Sequence, residues 1–197
     1  MIPYGQHEVT KEDILNVTSV LNSNHLTQGK MVPNFEDAIK KYCNAKYAVA
    51  SNSATSSLHL ACLALGLKKN DIVWTTPITF VASANCALYC GAKIDFVDIS
   101  PLDFNLDVNK LKEKLLIADK KNSIPKILIV VHMAGQSCDM KSIRKICDQY
   151  NIKIIEDASH ALGSEYNFKK VGSCEFSDIT VFSFHPVKMI TTGEGGV

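Results

Sequence analysis

Arginine is almost missing from this sequence: Arg144 is the sole one in 197 residues. Acid and base otherwise balance to a formal net charge of +1 with 21% charged residues, which excludes both the strongly basic surface of a nucleic-acid binder and the charge excess of a disordered chain. There is no Walker A loop, no G-x-G-x-x-G fingerprint and no His, Cys and carboxylate spacing of the zinc type, so no metal is expected. No apolar run reaches the length of a membrane span, and MIPYGQHEV lacks the basic stretch and apolar run of a signal peptide. A soluble, cytoplasmic chain with no membrane partner is expected. The seven cysteines, Cys43, Cys62, Cys86, Cys90, Cys138, Cys147 and Cys174, form an odd set without a C-x-x-C pair. Most lie inside apolar patterns and read as reduced core thiols.

What the sequence does contain is an alternation. Thr10 with Asp13 resembles a capping box, followed by Ile14, Val17, Val20 and Leu21 at helical spacing, and a second helical pattern runs from about Phe35 to Cys43. Short apolar runs at 47–51, 72–76, 94–99, 126–132, 152–157 and 179–184 read as strands. Between them, 54–65, 80–90, 107–117 and 139–150 read as helices, the first closed by Gly66 as a C-cap. Strand and helix in turn predict an α/β fold with a mostly parallel sheet flanked by helices, in one domain over 1–197.

In open parallel sheets ligands bind at the carboxyl ends of the strands. Past each expected strand the polar residues are Ser53, Ala54 and Thr55, then Thr79 and Phe80, then His132, then Asp157 and His160, then Ser183, His185 and Lys188. Ser53-Ala54-Thr55-Ser56 opens a helix, where free N–H groups cradle a phosphate or a hydroxyl merely caps. Asp157 follows Ile152, Ile154 and Ile155, so its carboxylate arrives at the mouth of a dry sheet, where it should find a cationic partner or cap the next helix. Lys188 is one lysine among many, but burial would make it a nucleophile. His132 alone reads as bonding a loop carbonyl, His160 and His185 as acids, bases or structural donors, and Gly193, Gly195 and Gly196 as a close-packed turn.

Taken together, NSATSSLHLA, TTPITFVASAN, IIEDASHALG and FSFHPVKMITTGEGG, with HLTQGKMVPNFE upstream, resemble the DegT/DnrJ/EryC1/StrS family of sugar aminotransferases, and within it the members of pseudaminic acid biosynthesis. The resemblance implies a fold-type I enzyme of pyridoxal 5'-phosphate (PLP), whose large domain carries a mainly parallel seven-stranded sheet. It implies Lys188 as the catalytic Schiff-base lysine, Asp157 on the pyridine nitrogen, Phe80 stacked on the ring, Ala54, Thr55 and Ser183 on the phosphate, and His160 near the ring hydroxyl. It further implies L-glutamate as amino donor, C4 of a UDP-linked 4-keto sugar as acceptor, and a homodimer whose second subunit completes the site. Family members are longer than this chain and end in a smaller domain, so 1–197 is expected to hold the N-terminal segment and the large domain without the small one, and to be inactive alone. Arg144 lies on an expected helix away from the strand ends, so the donor carboxylate is expected to be bound beyond Val197. Three readings stay open: the aminotransferase, on this or another nucleotide-linked keto sugar; a related PLP sugar dehydratase, disfavoured because Lys188 stands where those enzymes usually carry histidine; and a non-catalytic remnant.

Overall fold

The computed structural model describes residues 5–197. Two helices come first. α1 (Lys11–Leu21) opens on the expected capping box: Asp13 N–H donates to Thr10 Oγ1 (3.2 Å) and Thr10 N–H returns to Asp13 Oδ2 (2.8 Å). α2 (Met31–Cys43) starts four residues ahead of the expected Phe35 and ends on Asn44 in the left-handed conformation.

The alternating part follows as α3 (Ala54–Ala64), β1 (Ile72–Thr75), α4 (Ala82–Tyr89), β2 (Lys93–Phe96), α5 (Val108–Lys120), β3 (Ile127–Val131), α6 (Met140–Gln149) and β4 (Lys153–Asp157). A small hairpin, β5 (Glu165–Tyr166) and β6 (Lys169–Lys170), precedes β7 (Ile179–Val181). α3 stops where expected, on Gly66 at φ +72°, whose N–H donates to Leu63 O (2.9 Å).

The sheet runs β2-β1-β3-β4-β7, with every pair parallel. Its central strand β3 is buried at all five residues, as a strand covered on both faces must be. Alternate side chains feed two cores. Trp74, Leu128, Val130 and Ile154 meet Leu111 and Leu115 of α5 and Ile143 and Cys147 of α6. Val73, Ile127, Ile129, Ile155 and Val181 meet Leu58 and Cys62 of α3 and Cys86 of α4. Truncating any one of these large aliphatics should cost about 2–5 kcal/mol. Five of the seven cysteines are buried, and all are free thiols.

Two expectations change here. The run 47–51 is not a strand: Tyr47 and Val49 are exposed, Ala50 N–H donates to Glu36 Oε1 of α2 (2.8 Å), and only Ser51 enters a ladder. The sheet has five regular strands instead of seven. The remaining two lines exist as isolated bridges: Gly195–Val197 runs antiparallel to 182–184 through Phe182 N–H to Val197 O (2.8 Å) and Phe184 N–H to Gly195 O (2.9 Å). On its other side Ser51 and Gly196 exchange both backbone bonds, at 2.8 and 3.0 Å.

Candidate active site

The register sets Val131, Asp157 and Val181 level with one another, so the parallel strands end together and their next residues share one edge. His132, Asp157 and Ser183 stand on that edge. The N-termini of α3 and α4 bring Ala54, Thr55 and Phe80 to the same side of the fold.

Asp157 is only 4% exposed. The cationic partner expected for it is absent among the described residues: no lysine, arginine or histidine lies within ion-pair distance. Hydroxyls replace it. Ser83 of α4 donates to Oδ2 (2.6 Å), while Ser159 donates to Oδ1 through its hydroxyl (2.6 Å) and its backbone N–H (3.2 Å). A carboxylate offers about four lone-pair positions. Two donors fill Oδ1 and one occupies Oδ2, so the acceptor position left over is on Oδ2. A buried carboxylate with such a position is suited to a charged N–H donor, because an unpaired buried charge is costly.

The other end of the candidate site is the head of α3, where an anion cradle was expected. Ser53 caps α3 by accepting from Ser56 N–H (3.2 Å), and its carbonyl accepts from Ser57 N–H (3.0 Å), which leaves the N–H groups of Ala54 and Thr55 without partners among the described residues. Gly196 packs onto this turn. A Cβ there would meet the Ser53 carbonyl carbon at 2.4 Å and the Ala54 nitrogen at 2.5 Å, so only glycine fits. Gly196 also bridges to Ser183, whose buried hydroxyl accepts from His185 N–H (3.4 Å) and keeps its own proton to donate. Gly196 thereby brings Ser183 beside Ala54; the close packing expected of the glycines holds at Gly195 and Gly196, whereas Gly193, at φ +81°, faces open space.

Lys188 sits on a loop closed by Thr192 N–H and Thr191 Oγ1, both donating to Phe184 O (3.0 Å each). Its ammonium has no hydrogen bond or ion pair among the described residues. Burial lowers its pKa, and Asp157 opposes that shift. His160 is likewise lowered, by burial first and then by Lys188, with Asp157 pulling the other way. Asp157, His160 and Lys188 thus share one electrostatic field. Phe80, the residue before the N-cap of α4, is 72% exposed.

His132 differs from expectation. Its ring meets a carboxylate, not a loop carbonyl: Nε2 lies 2.7 Å from Glu156 Oε2, both groups being buried. Cys138 N–H donates to Nδ1 (3.2 Å), which assigns the proton to Nε2. His132 N–H also donates to the Asp157 carbonyl (3.1 Å), so this histidine holds both the residue before Asp157 and Asp157 itself. His185 lies at the surface, near Glu194 at 3.7 Å. Arg144 is at the opposite end of the sheet, where it donates to Ile152 O (3.1 Å) and Asp178 (3.2 Å). Sequence reasoning missed Ser83, Ser159 and Glu156, whose contacts span elements and leave no local pattern.

The C-terminal edge of this parallel sheet thus carries a buried carboxylate, with the head of α3 and a half-buried lysine following the strand ends, in an α/β fold. The profile of the DegT/DnrJ/EryC1/StrS aminotransferase family matches residues 7–197, and the chain belongs to that family. It is 48% identical over 196 residues to the UDP-4-amino-4,6-dideoxy-N-acetyl-beta-L-altrosamine transaminase of Campylobacter jejuni, covering all of this chain and 50% of that protein. Helicobacter pylori PseC, described as an aminotransferase involved in the biosynthesis of pseudoaminic acid, superimposes with a TM-score of 0.87 at 41% identity, over 98% of this chain and 50% of the other. The PLP form of the putative sugar aminotransferase Spr1654 from Streptococcus pneumoniae gives a TM-score of 0.87 at 31% identity, over 99% and 52%. The chain spans about half the length of the curated relatives it matches. No described helix is long and apolar enough to cross a membrane.

Proposed function

We propose that this chain supplies the cofactor-binding half of a PLP-dependent aminotransferase that moves the amino group of L-glutamate to C4 of a UDP-linked 4-keto-6-deoxy hexose. The observation that carries the proposal is the acceptor position on Asp157 Oδ2, in a buried carboxylate without a cation, in the same field as the unpartnered amine of Lys188. When bound, PLP supplies an aldehyde for that amine and a protonated ring that withdraws electrons from the reacting carbon.

The residues divide the work by position. Asp157, oriented by its three hydrogen-bond donors, would accept from the ring N–H, and its negative charge would favour the protonated ring. Ala54, Thr55 and Ser183 hold the phosphate by N–H and O–H donation at the head of α3. Phe80 would cover one face of the cofactor ring, and His160 would lie near the ring hydroxyl. Lys188 would be the catalytic residue: its amine would hold the cofactor through the aldehyde and, when free, would act as the base that takes up and gives back the donor's Cα proton. Its lowered pKa suits both roles, since a neutral amine is required each time. Arg144 is engaged at the far end of the sheet and does not serve the donor carboxylate. The proposal includes a cytoplasmic homodimer in which a second subunit completes the site.

The likeness to relatives that act on UDP-linked amino sugars supports the substrate class. Lys188→Ala in the native protein should reduce turnover with glutamate and a UDP-4-keto sugar by at least about a hundredfold, the low end for losing a positioned acid–base. Unchanged multiple turnover by that variant would remove Lys188 from the chemistry.

A further inference from the structure

We propose that Thr79 and Ser83 form a proton-ordered relay which locks Asp157 to the segment bearing Phe80, making both hydroxyls positioning residues for the pyridine ring. The inference rests on the reading that the ring nitrogen meets Asp157.

Ser83 touches both ends of the ring site. Its hydroxyl donates to Asp157 Oδ2 at 2.6 Å, across 74 residues of sequence, while its backbone N–H donates to the Phe80 carbonyl at 3.1 Å. One residue therefore holds the carboxylate that would grip the ring edge and the backbone of the aromatic that would cover the ring face. A serine in a helix usually bonds back to a carbonyl of its own preceding turn. Ser83 instead spends its single proton across the site, and it is wholly buried.

That proton sets the order of the chain. A carboxylate only accepts, so Ser83 must donate to Asp157, and a hydroxyl carries one proton. In the 2.8 Å contact between Thr79 Oγ1 and Ser83 Oγ, Thr79 must then be the donor. The sequence Thr79 to Ser83 to Asp157 runs in one direction, and each bond strengthens the next by polarisation. Because Ser83 is the one donor on Oδ2 among the described residues, it also fixes which acceptor position of that oxygen stays open. Thr79 adjoins Phe80, so the relay and the ring platform move as one piece.

The test is a double-mutant cycle in the native protein, with PLP as ligand and equilibrium dialysis as readout. Ser83→Ala should weaken PLP binding about tenfold in the otherwise native protein and less than about twofold when Asp157 is already Asn, which is the non-additivity of groups acting through each other. Induced circular dichroism of the bound cofactor should change in Ser83→Ala, because the ring orientation is what the relay sets. Equal losses in both backgrounds, or no loss in either, would overturn the proposal even if Ser83→Ala lowers the melting temperature.

Two further variants cover a Ser83→Ala protein that does not fold. Ser83→Cys, with a weak S–H donor, should fall between Ser and Ala, and Thr79→Val should weaken PLP binding about threefold in the native background alone. A Ser83→Cys protein with native affinity and native dichroism would count against the relay. Borohydride reduction separates this inference from the reading beneath it: a phosphopyridoxyl group on Lys188 together with additive affinities removes the relay alone, whereas its absence from Lys188 removes both.

Discussion

The backbone of Gly196 lies against the Ser53–Ala54 peptide so tightly that a Cβ on Gly196 would fall 2.5 Å from the Ala54 nitrogen. This nitrogen opens α3, so the packing of one glycine sets the shape of the helix head proposed to hold the phosphate. Gly196→Ala must push the turn away, because the obstructing atoms are backbone and cannot swing aside. Titration with PLP should show at least about a tenfold loss of affinity, with pyridoxal lacking the phosphate much less affected. Equal losses for the two ligands would place the effect elsewhere.

The two serines on Asp157 should not be equivalent. Ser159→Ala removes a hydroxyl from Oδ1 but leaves the Ser159 backbone N–H bonded to the same oxygen. Ser83→Ala strips Oδ2 of its one protein donor. The loss of PLP affinity should therefore be several-fold smaller for Ser159→Ala, since a single remaining donor still satisfies part of the buried charge. Dialysis of the two variants side by side measures the difference.

Lys188 should react ahead of the surface lysines. Burial lowers its pKa, so at a given pH below the usual lysine value a larger share of its amine is neutral and nucleophilic. Competitive labelling with acetic anhydride from pH 7 to pH 10, read by peptide mass spectrometry, should find Lys188 modified at the lower end of that range. Asp157→Asn removes the charge that holds Lys188 protonated, and should move its labelling to lower pH still.

Glu156 makes stability depend on acid. Burial pushes its pKa up, but His132, Ser177 and Thr180, all hydrogen-bonded to its carboxylate, outweigh that and hold it below the usual value. A group lowered in the folded state adds stability above its unfolded pKa and loses it as pH falls through the folded one. Urea unfolding should accordingly show a contribution that is whole at neutral pH and declines below about pH 4.3. Glu156→Gln should cost about 1–3 kcal/mol at pH 7 and flatten that decline. An acid limb as steep in the variant as in the native protein would assign the dependence to other carboxylates.

The layered architecture was readable because burial on both faces writes itself into local sequence. Ile127–Val131 and Ile152–Ile155 are near-continuous apolar runs, and Leu111, Leu115, Ile143 and Cys147 recur at helical spacing. The run 47–51 has the same local look and failed as a strand, because Glu36 claims the Ala50 N–H and no regular neighbour pairs with it. At the site, position along the chain located Asp157 and Lys188 but not their surroundings. Asp157 was expected to face a cation, the protonated ring nitrogen in the functional reading, and its hydroxyl donors Ser83 and Ser159 were not foreseen; His132 was expected to need a carbonyl and has Glu156. Both involve residues brought together by strand register, and serine carries no periodic signal that distinguishes a cap from a distant donor.

A crystal structure of the native protein with PLP tests the central claim most directly. The account predicts the ring nitrogen about 2.7–3.0 Å from Asp157 Oδ2, the distance of a charge-assisted hydrogen bond, with continuous density from the aldehyde carbon to Lys188 Nζ and the phosphate at the head of α3. A ring bound elsewhere, or one whose nitrogen turns away from Asp157 while Lys188 stays unmodified, would contradict it.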